Sequence, residues 1–276
     1  MPKRLTSAQQ DAYHRDGFVA PINVCSEEEA AQIRAEIEAA EARWPNALDG
    51  AGRNNGHLAL PVLDRIVHDS RILDAVEDIL GPDILAAGST LFIKEPHSGG
   101  FISWHQDARY AGMEPHKWVT GWLAISNVTE ENGCMQMIPG SHVEPLRDHV
   151  DTFGDDNLLT RGQEVQGIDE SQAVSVPLRP GQLSLHHPRI VHGSGPNTSS
   201  ERRIGFALQS YIAPSVQQVL GEMYVQRARG TDAEGYHLEA PRVTQAMTDE
   251  AVALRADAND KLAAILYAGS EKKGRY

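Results

Sequence analysis

The chain has 276 residues, with 25 Lys plus Arg against 38 Asp plus Glu, giving a formal net charge of −13. That length can bury a full hydrophobic core, while the acid excess argues against a binder of nucleic-acid backbones or anionic membrane surfaces. Two cysteines, Cys25 and Cys134, supply neither a disulfide framework nor a four-thiolate zinc site, and no apolar stretch reaches signal-peptide or membrane-spanning character, so a soluble cytoplasmic protein is expected.

The first third reads as helical. Thr6 and Gln9 stand at capping-box spacing before a short helix ending near Gly17. Ser26 and Glu29 repeat the spacing ahead of a longer one, with Ala30, Ile33, Ile37 and Ala40 on one face. Asp69 or Ser70 opens a third, which turns Leu73, Val76 and Leu80 inward and stops at Gly81-Pro82. The Gly/Asn-rich stretch from Asp49 to Gly56 between them reads as a loop.

From about residue 84 the pattern becomes short strands punctuated by turns, as in a sandwich or barrel. The predicted strands are Ala86–Glu95, Trp118–Val128, Cys134–Ile138, Ala173–Leu178, Gln182–His187 and Arg203–Ile212. Residues 142–172 are polar, with few strand signals, and read as a long excursion or lid. The tail from about Thr244 returns to a helical pattern. With no repeat or linker in view, one domain spanning 1–276 is expected: helical to about 82, β from about 84 to 213, and a helical tail from about 214.

Twelve histidines raise the question of a metal site. His-x-Asp occurs at His14/Asp16, His105/Asp107 and His149/Asp151, where chance alone yields about 0.8 such pairs, so spacing by itself says little. Two residues apart on a strand, side chains leave one face; on a helix they diverge. His14 and Asp16 lie in the capped first helix and cannot chelate together, and His149/Asp151 sits in the polar excursion as solvated surface. His105/Asp107 follows Phe101, Ile102 and Trp104 after a Gly99-Gly100 break and is the better pair.

Two histidines and one carboxylate on a face of iron(II) leave positions open for substrate and oxygen. Candidates for the third donor are His186, His187 and His192. His192 occupies a strand end, and Pro188 makes His187 a group of the lumen or its surroundings. Eleven residues after His192, Arg203 shares a strand face with Gly205, Ala207 and Gln209, where small side chains leave room for a bidentate carboxylate. Ile204, Phe206, Leu208 and Ile212 form the opposite, apolar face, and Arg202 on that side is expected to reach solvent.

His105-Gln106-Asp107, Trp122 in Trp-Leu-Ala-Ile, Asn132-Gly133-Cys134, Pro139-Gly140-Ser141-His142, and His192-Gly193-Ser194-Gly195-Pro196-Asn197 with Arg203 together resemble the phytanoyl-CoA dioxygenase family over about residues 10 to 215. The family is one of iron(II)- and 2-oxoglutarate-dependent oxygenases. The resemblance implies a mainly β fold, a double-stranded β-helix (jelly-roll, cupin-like) with flanking helices. It implies iron(II) on His105, Asp107 and His192, dioxygen as co-substrate, and Arg203 on the distal carboxylate of 2-oxoglutarate. Trp122 and Ser194 match co-substrate pocket positions, with Thr90 and Lys94 as further carry-overs.

The nearest likeness is to a bacterial subgroup of phosphonate hydroxylases and so-called chlorinating enzymes. Halogenases of that group replace the carboxylate ligand with Gly or Ala to seat a halide. Asp107 is expected to leave no such seat, so the resemblance implies hydroxylation of an unactivated C–H bond. For the substrate, Arg109, Tyr110, His57 and Arg161 are the candidate contacts, offering cationic or hydrogen-bonding groups to a small polar or anionic metabolite. The rival readings are a cupin-like metalloenzyme that does not use 2-oxoglutarate and a non-catalytic barrel. Oligomeric state stays open, with the helical tail available for an interface.

Overall fold

The computed structural model describes residues 2–154 and 156–270. Its helices are α1 (Ser7–Asp16), α2 (Glu27–Arg43), α3 (Pro61–Val67), α4 (Ser70–Leu80), the single turn α5 (Ala108–Ala111) and α6 (Asp249–Leu266). The strands of the first half are β1 (Phe18–Asn23), β2 (Ile84–Ala86), β3 (Thr90–Lys94), β4 (Ile102–His105), β5 (Met113–Glu114), β6 (Trp118–Ala124), β7 (Met135–Met137) and β8 (His149–Asp151). Those of the second half are β9 (Gln163–Val165), β10 (Val174–Val176), β11 (Gln182–His186), β12 (His192–Ser194), β13 (Arg203–Ile212), β14 (Gln217–Gln218), β15 (Tyr224–Arg229) and β16 (Leu238–Glu239).

Capping sets the helices where the sequence places them. Thr6 and Gln9 close a reciprocal capping box and Gly17 ends α1 in the left-handed region. The Ser26 side chain accepts from Glu29 N at the start of α2, and Asp69 from Arg71 N at the start of α4. β1 and α3 were not anticipated. The predicted strand Ala86–Glu95 is two strands, β2 and β3, and the excursion contains an antiparallel hairpin of β8 on β9.

A large sheet runs β1-β11-β6-β13-β2-β15-β16, with β3 also on β13, against a smaller sheet β10-β7-β12-β4. Together they form the jelly-roll core. Helices α2, α3 and α4 cover the outer face of the large sheet: Ile37, Leu63, Ile72 and Val76 join Ile204, Phe206, Leu123 and Leu185 in one cluster. Burying each such side chain stabilises the fold by about 1.5–3 kcal/mol.

Strand parity holds along β13 up to Leu208. Its pairing with β6 then shifts register before Tyr211, as a bulge does. Tyr211 therefore joins the core under the helices, and Ile212, expected there, packs instead with Leu85 and Trp118. Arg202 lies at the sheet margin, paired at 2.9 Å with both Glu41 and Glu95.

Candidate metal centre and co-substrate pocket

In the register of β4 on β12, His105 and His192 are directly opposed, and their ring centroids stand 4.1 Å apart. Strand β4 ends at His105. Asp107 is not on the strand, as the two-residue spacing suggested, but is the helical-region residue that opens α5. The turn nonetheless returns its carboxylate to the histidines. One donor atom from each of His105, Asp107 and His192 falls within a 4.8 Å span.

The imidazoles are oriented from behind. His105 Nδ1 lies 2.8 Å from Ser103 O and His192 Nδ1 lies 3.1 Å from Ile190 O. A carbonyl accepts only an N–H, so each neutral ring presents its Nε2 lone pair to the centre, the arrangement of metal-bound histidines. Both Nε2 atoms face Asp107 Oδ1, at 3.4 and 3.8 Å. Thr120 Oγ1 is 2.9 Å from Oδ2, with His186 Nε2 3.6 Å from the same oxygen.

Burial alone would raise the Asp107 carboxyl. The electrostatic influence of His192, His105 and His186 outweighs it and holds the group well below the usual carboxylate range. Burial, reinforced by His105, drives His192 far below the ordinary imidazole range. An ionised carboxylate between two imidazoles held from behind with Nε2 toward the centre is a donor set that fits iron(II).

The co-substrate side is built on β13 and β6. Arg203 is 1% exposed. Its Nη1 donates to Gly133 O at 3.0 Å, its Cζ stacks 4.8 Å over the Trp122 ring, and its buried Nε has no partner. Among the described residues no carboxylate pairs with it, and burial lowers its pKa to about 10. A buried cation with open donor capacity on a cavity wall fits an anionic ligand. Lys94, register partner of Arg203, is buried rather than a surface charge. It donates to Ser194 Oγ at 2.8 Å and to Gly195 O; burial and then Arg203 push it down to about 7. Thr90 borders the cavity too, donating to Asn54 Oδ1 at 2.7 Å.

Gly205 makes this wall possible, because a Cβ there would stand 1.7 Å from Trp122 Cζ2. Gly205→Ala is therefore expected to displace Trp122 and, with it, the plane on which Arg203 rests. A cost of about 1–3 kcal/mol should appear in urea unfolding, together with weaker 2-oxoglutarate binding.

The remaining expectations divide. His57 and Tyr110 line the cavity with the triad; Arg109 and Arg161 are not brought to it. Arg109 is half-exposed beside Asp148, and Arg161 is paired with Asp151 at 2.5 Å and donates to carbonyls at the end of α6. His187, expected in the lumen or its surroundings, is not on the cavity wall and packs on His142 and Tyr13. His186 is the lumen residue. Leu183 and Leu185 face the outer core, which puts Ser184 and His186 on the inner face, a parity signal present in the sequence. His149 is not solvated: its Nε2 accepts from Gln106 N at 3.0 Å and its ring stacks edge-on to Tyr110. His14 and Asp16 remain remote on α1.

His57 is 3% exposed, with Nδ1 2.7 Å from Ser89 Oγ. Burial, only partly opposed by Asp64, pushes it down to about 4, against about 6.5 in an unfolded chain. Between those values the unfolded chain binds the extra proton, so stability rises with pH through that window. Acidification from pH 7 to 4 is expected to withdraw about 3 kcal/mol through this residue. His57→Gln should flatten the urea-midpoint profile over that range relative to wild type.

The profile of the phytanoyl-CoA dioxygenase (PhyH) family matches residues 13–205. A probable alpha-ketoglutarate-dependent hypophosphite dioxygenase of Stutzerimonas stutzeri is 32% identical over 169 residues, covering 60% of this chain and 58% of the relative. A phytanoyl-CoA dioxygenase domain-containing protein 1 homolog of Caenorhabditis elegans is 31% identical over 160 residues, 55% of each chain. The chain thus spans little more than half the length of these curated relatives. Among solved structures, the apo form of the non-heme monooxygenase ThoJ superposes with a TM-score of 0.82 at 34% identity, covering 94% of this chain and 97% of that one. CytC3 with Fe(II) and alpha-ketoglutarate, at 21% identity and a TM-score of 0.68 over 90% of this chain and 100% of that one, shares the fold. No helix among the described residues is long and apolar enough to cross a membrane.

Proposed function

The chain belongs to the phytanoyl-CoA dioxygenase family, and from that premise we propose that it hydroxylates an unactivated C–H bond of a small-molecule substrate. Iron(II), 2-oxoglutarate and dioxygen are its cofactor and co-substrates. The balance is R–H + O2 + 2-oxoglutarate → R–OH + succinate + CO2. The observation that carries the reading is the convergence of His105, Asp107 and His192 within 4.8 Å, beside a buried arginine with no carboxylate of its own.

His105 and His192 would hold iron through Nε2 and Asp107 through Oδ1, with Thr120 and His186 keeping Oδ2 turned away. Iron(II) with 2-oxoglutarate and dioxygen supplies an oxidant strong enough for an unactivated C–H bond. Arg203 fixes the distal carboxylate of 2-oxoglutarate, and Trp122 keeps its guanidinium planar against the wall. Ser194, with Lys94 behind it, and Thr90 border the same pocket. Because Asp107 occupies the carboxylate position, hydroxylation is favoured over halide transfer.

The test is an anaerobic titration with iron(II) followed by 2-oxoglutarate. A weak visible metal-to-ligand charge-transfer band is expected. Iron binding without any band would favour a cupin-like enzyme independent of 2-oxoglutarate; absence of iron binding would sink the oxygenase reading and leave a non-catalytic barrel.

A further inference from the structure

The triad opens into one cavity of about 990 Å³, at the upper end of the range that encloses drug-sized ligands. 2-Oxoglutarate, a five-carbon diacid, leaves most of it free. A wall of that free space comes from α6, which lies beyond the matched family region. Ala258, Leu262, Ile265 and Leu266 all line the cavity, at the i, i+4, i+7, i+8 spacing of a single helical face.

The helix is fixed along its middle and at its C-terminal end. Arg255 donates to Ala47 O at 2.8 Å and Asn55 to Asn259 Oδ1 at 3.0 Å. At the far end Arg161 Nη1 donates to Leu266 O at 3.1 Å and Tyr267 OH to Thr160 O at 3.3 Å. These last contacts clip α6 to the loop that brings Leu158 and Leu159 to the same cavity. Arg161 is thus a positioning residue, a cation at a helix C-terminus, rather than a substrate contact.

The charges of the lining are few. Outside the triad, its acidic side chains are absent among the described residues; apart from Arg203 its only lysine or arginine is Arg53. The Arg53 guanidinium donates to the carbonyls of Leu48 and Ile93. Hydrogen-bonding capacity comes instead from uncharged groups: Asn55, Gln209, His57, and the buried Tyr110 hydroxyl, which has no partner. Once Arg203 holds 2-oxoglutarate, the one cation left to a phosphonate or carboxylate among the described lining residues is Arg53, whose Nε and Nη1 are already turned to backbone carbonyls.

We propose that the substrate is an uncharged amphipathic molecule, whose apolar part packs on the α6 face and whose amide or hydroxyl groups meet the neutral polar side chains. This rests on the oxygenase reading and narrows the expectation of a small polar or anionic metabolite to its uncharged side.

The probe is N-phenyl-1-naphthylamine, a neutral apolar fluorophore, added anaerobically to the full chain loaded with iron(II) and 2-oxoglutarate. Saturable 1:1 binding is expected, weakened at least tenfold in Leu262→Asp and several-fold in the milder Leu262→Ala. It should be unchanged in Val252→Asp on the exposed side of the same helix, and the charge-transfer band should persist in all three. N-octylacetamide should displace the dye at a concentration at least tenfold lower than octylphosphonate does. A formed band with no dye binding, binding indifferent to Leu262, or preferential displacement by the phosphonate would overturn the proposal. Failure of the wild type to form the band would strike the oxygenase reading itself, so the two failures are distinct.

Discussion

His192→Ala is expected to lose iron(II) binding by more than about 100-fold, since disturbing even the outer partners of metal ligands costs about 10–100-fold. The expected loss follows from geometry. His192 is opposed to His105 across two strands, with Nδ1 held by Ile190 O and Nε2 turned to Asp107, a placed donor that alanine cannot supply. His186 is nearest, 4.8 Å from His192 between ring centroids, but its Nε2 faces the opposite carboxylate oxygen, Oδ2. Calorimetric or chelator-competition titration of iron(II) checks this without any assumption about substrate. If His149→Ala abolished binding while His192→Ala kept it, the ligand assignment would be wrong.

Much of this site was legible because its chemistry sits in local patterns. His105-Gln106-Asp107 and the His192 turn are short, ordered motifs, and Arg203 announces itself by the small residues on its face of β13. Three of the four α-helices before residue 82 were legible for a similar reason: Thr6, Ser26 and Asp69 are side-chain caps with backbone partners two or three residues on.

What escaped depends on tertiary register. β1 contains Pro21, which argues against a strand unless it is at a sheet edge, where β1 in fact lies. α3 is only seven residues long, with Leu60 as an N-cap lacking a side-chain hydrogen bond, so no capping signal announced it. The Pro188 break drew His187 toward the lumen or its surroundings and His186 stayed one of three candidate ligands, although the alternation of Leu183 and Leu185 places His186 inward. The bulge after Leu208 exchanged Tyr211 and Ile212 between faces, which a period-two reading cannot foresee. The reach of α6 to the cavity, from residues more than 50 positions beyond Arg203, is a purely long-range fact of packing.

Arg203→Met is expected to raise the Kd for 2-oxoglutarate by about 100- to 5000-fold while leaving iron(II) affinity near that of wild type. Methionine fills the space beside Trp122 without a charge, and replacing a buried ion by a packed apolar side chain seldom harms folding. The loss should therefore be one of ligand binding. Its size follows from the about 3–5 kcal/mol forfeited when one member of a buried ion pair is removed. Arg203→Lys should recover little. A lysine keeps the charge but forfeits the fork that lets Nη1 hold Gly133 O while the rest of the guanidinium faces the ligand, and it loses the stacking on Trp122. Lys94 offers no substitute, since its amine is engaged by Ser194 and Gly195. The split is read by two titrations on each variant, iron(II) first and 2-oxoglutarate second. Wild-type turnover in Arg203→Met would show that the buried guanidinium has no co-substrate to bind, and would move the protein to the 2-oxoglutarate-independent cupins.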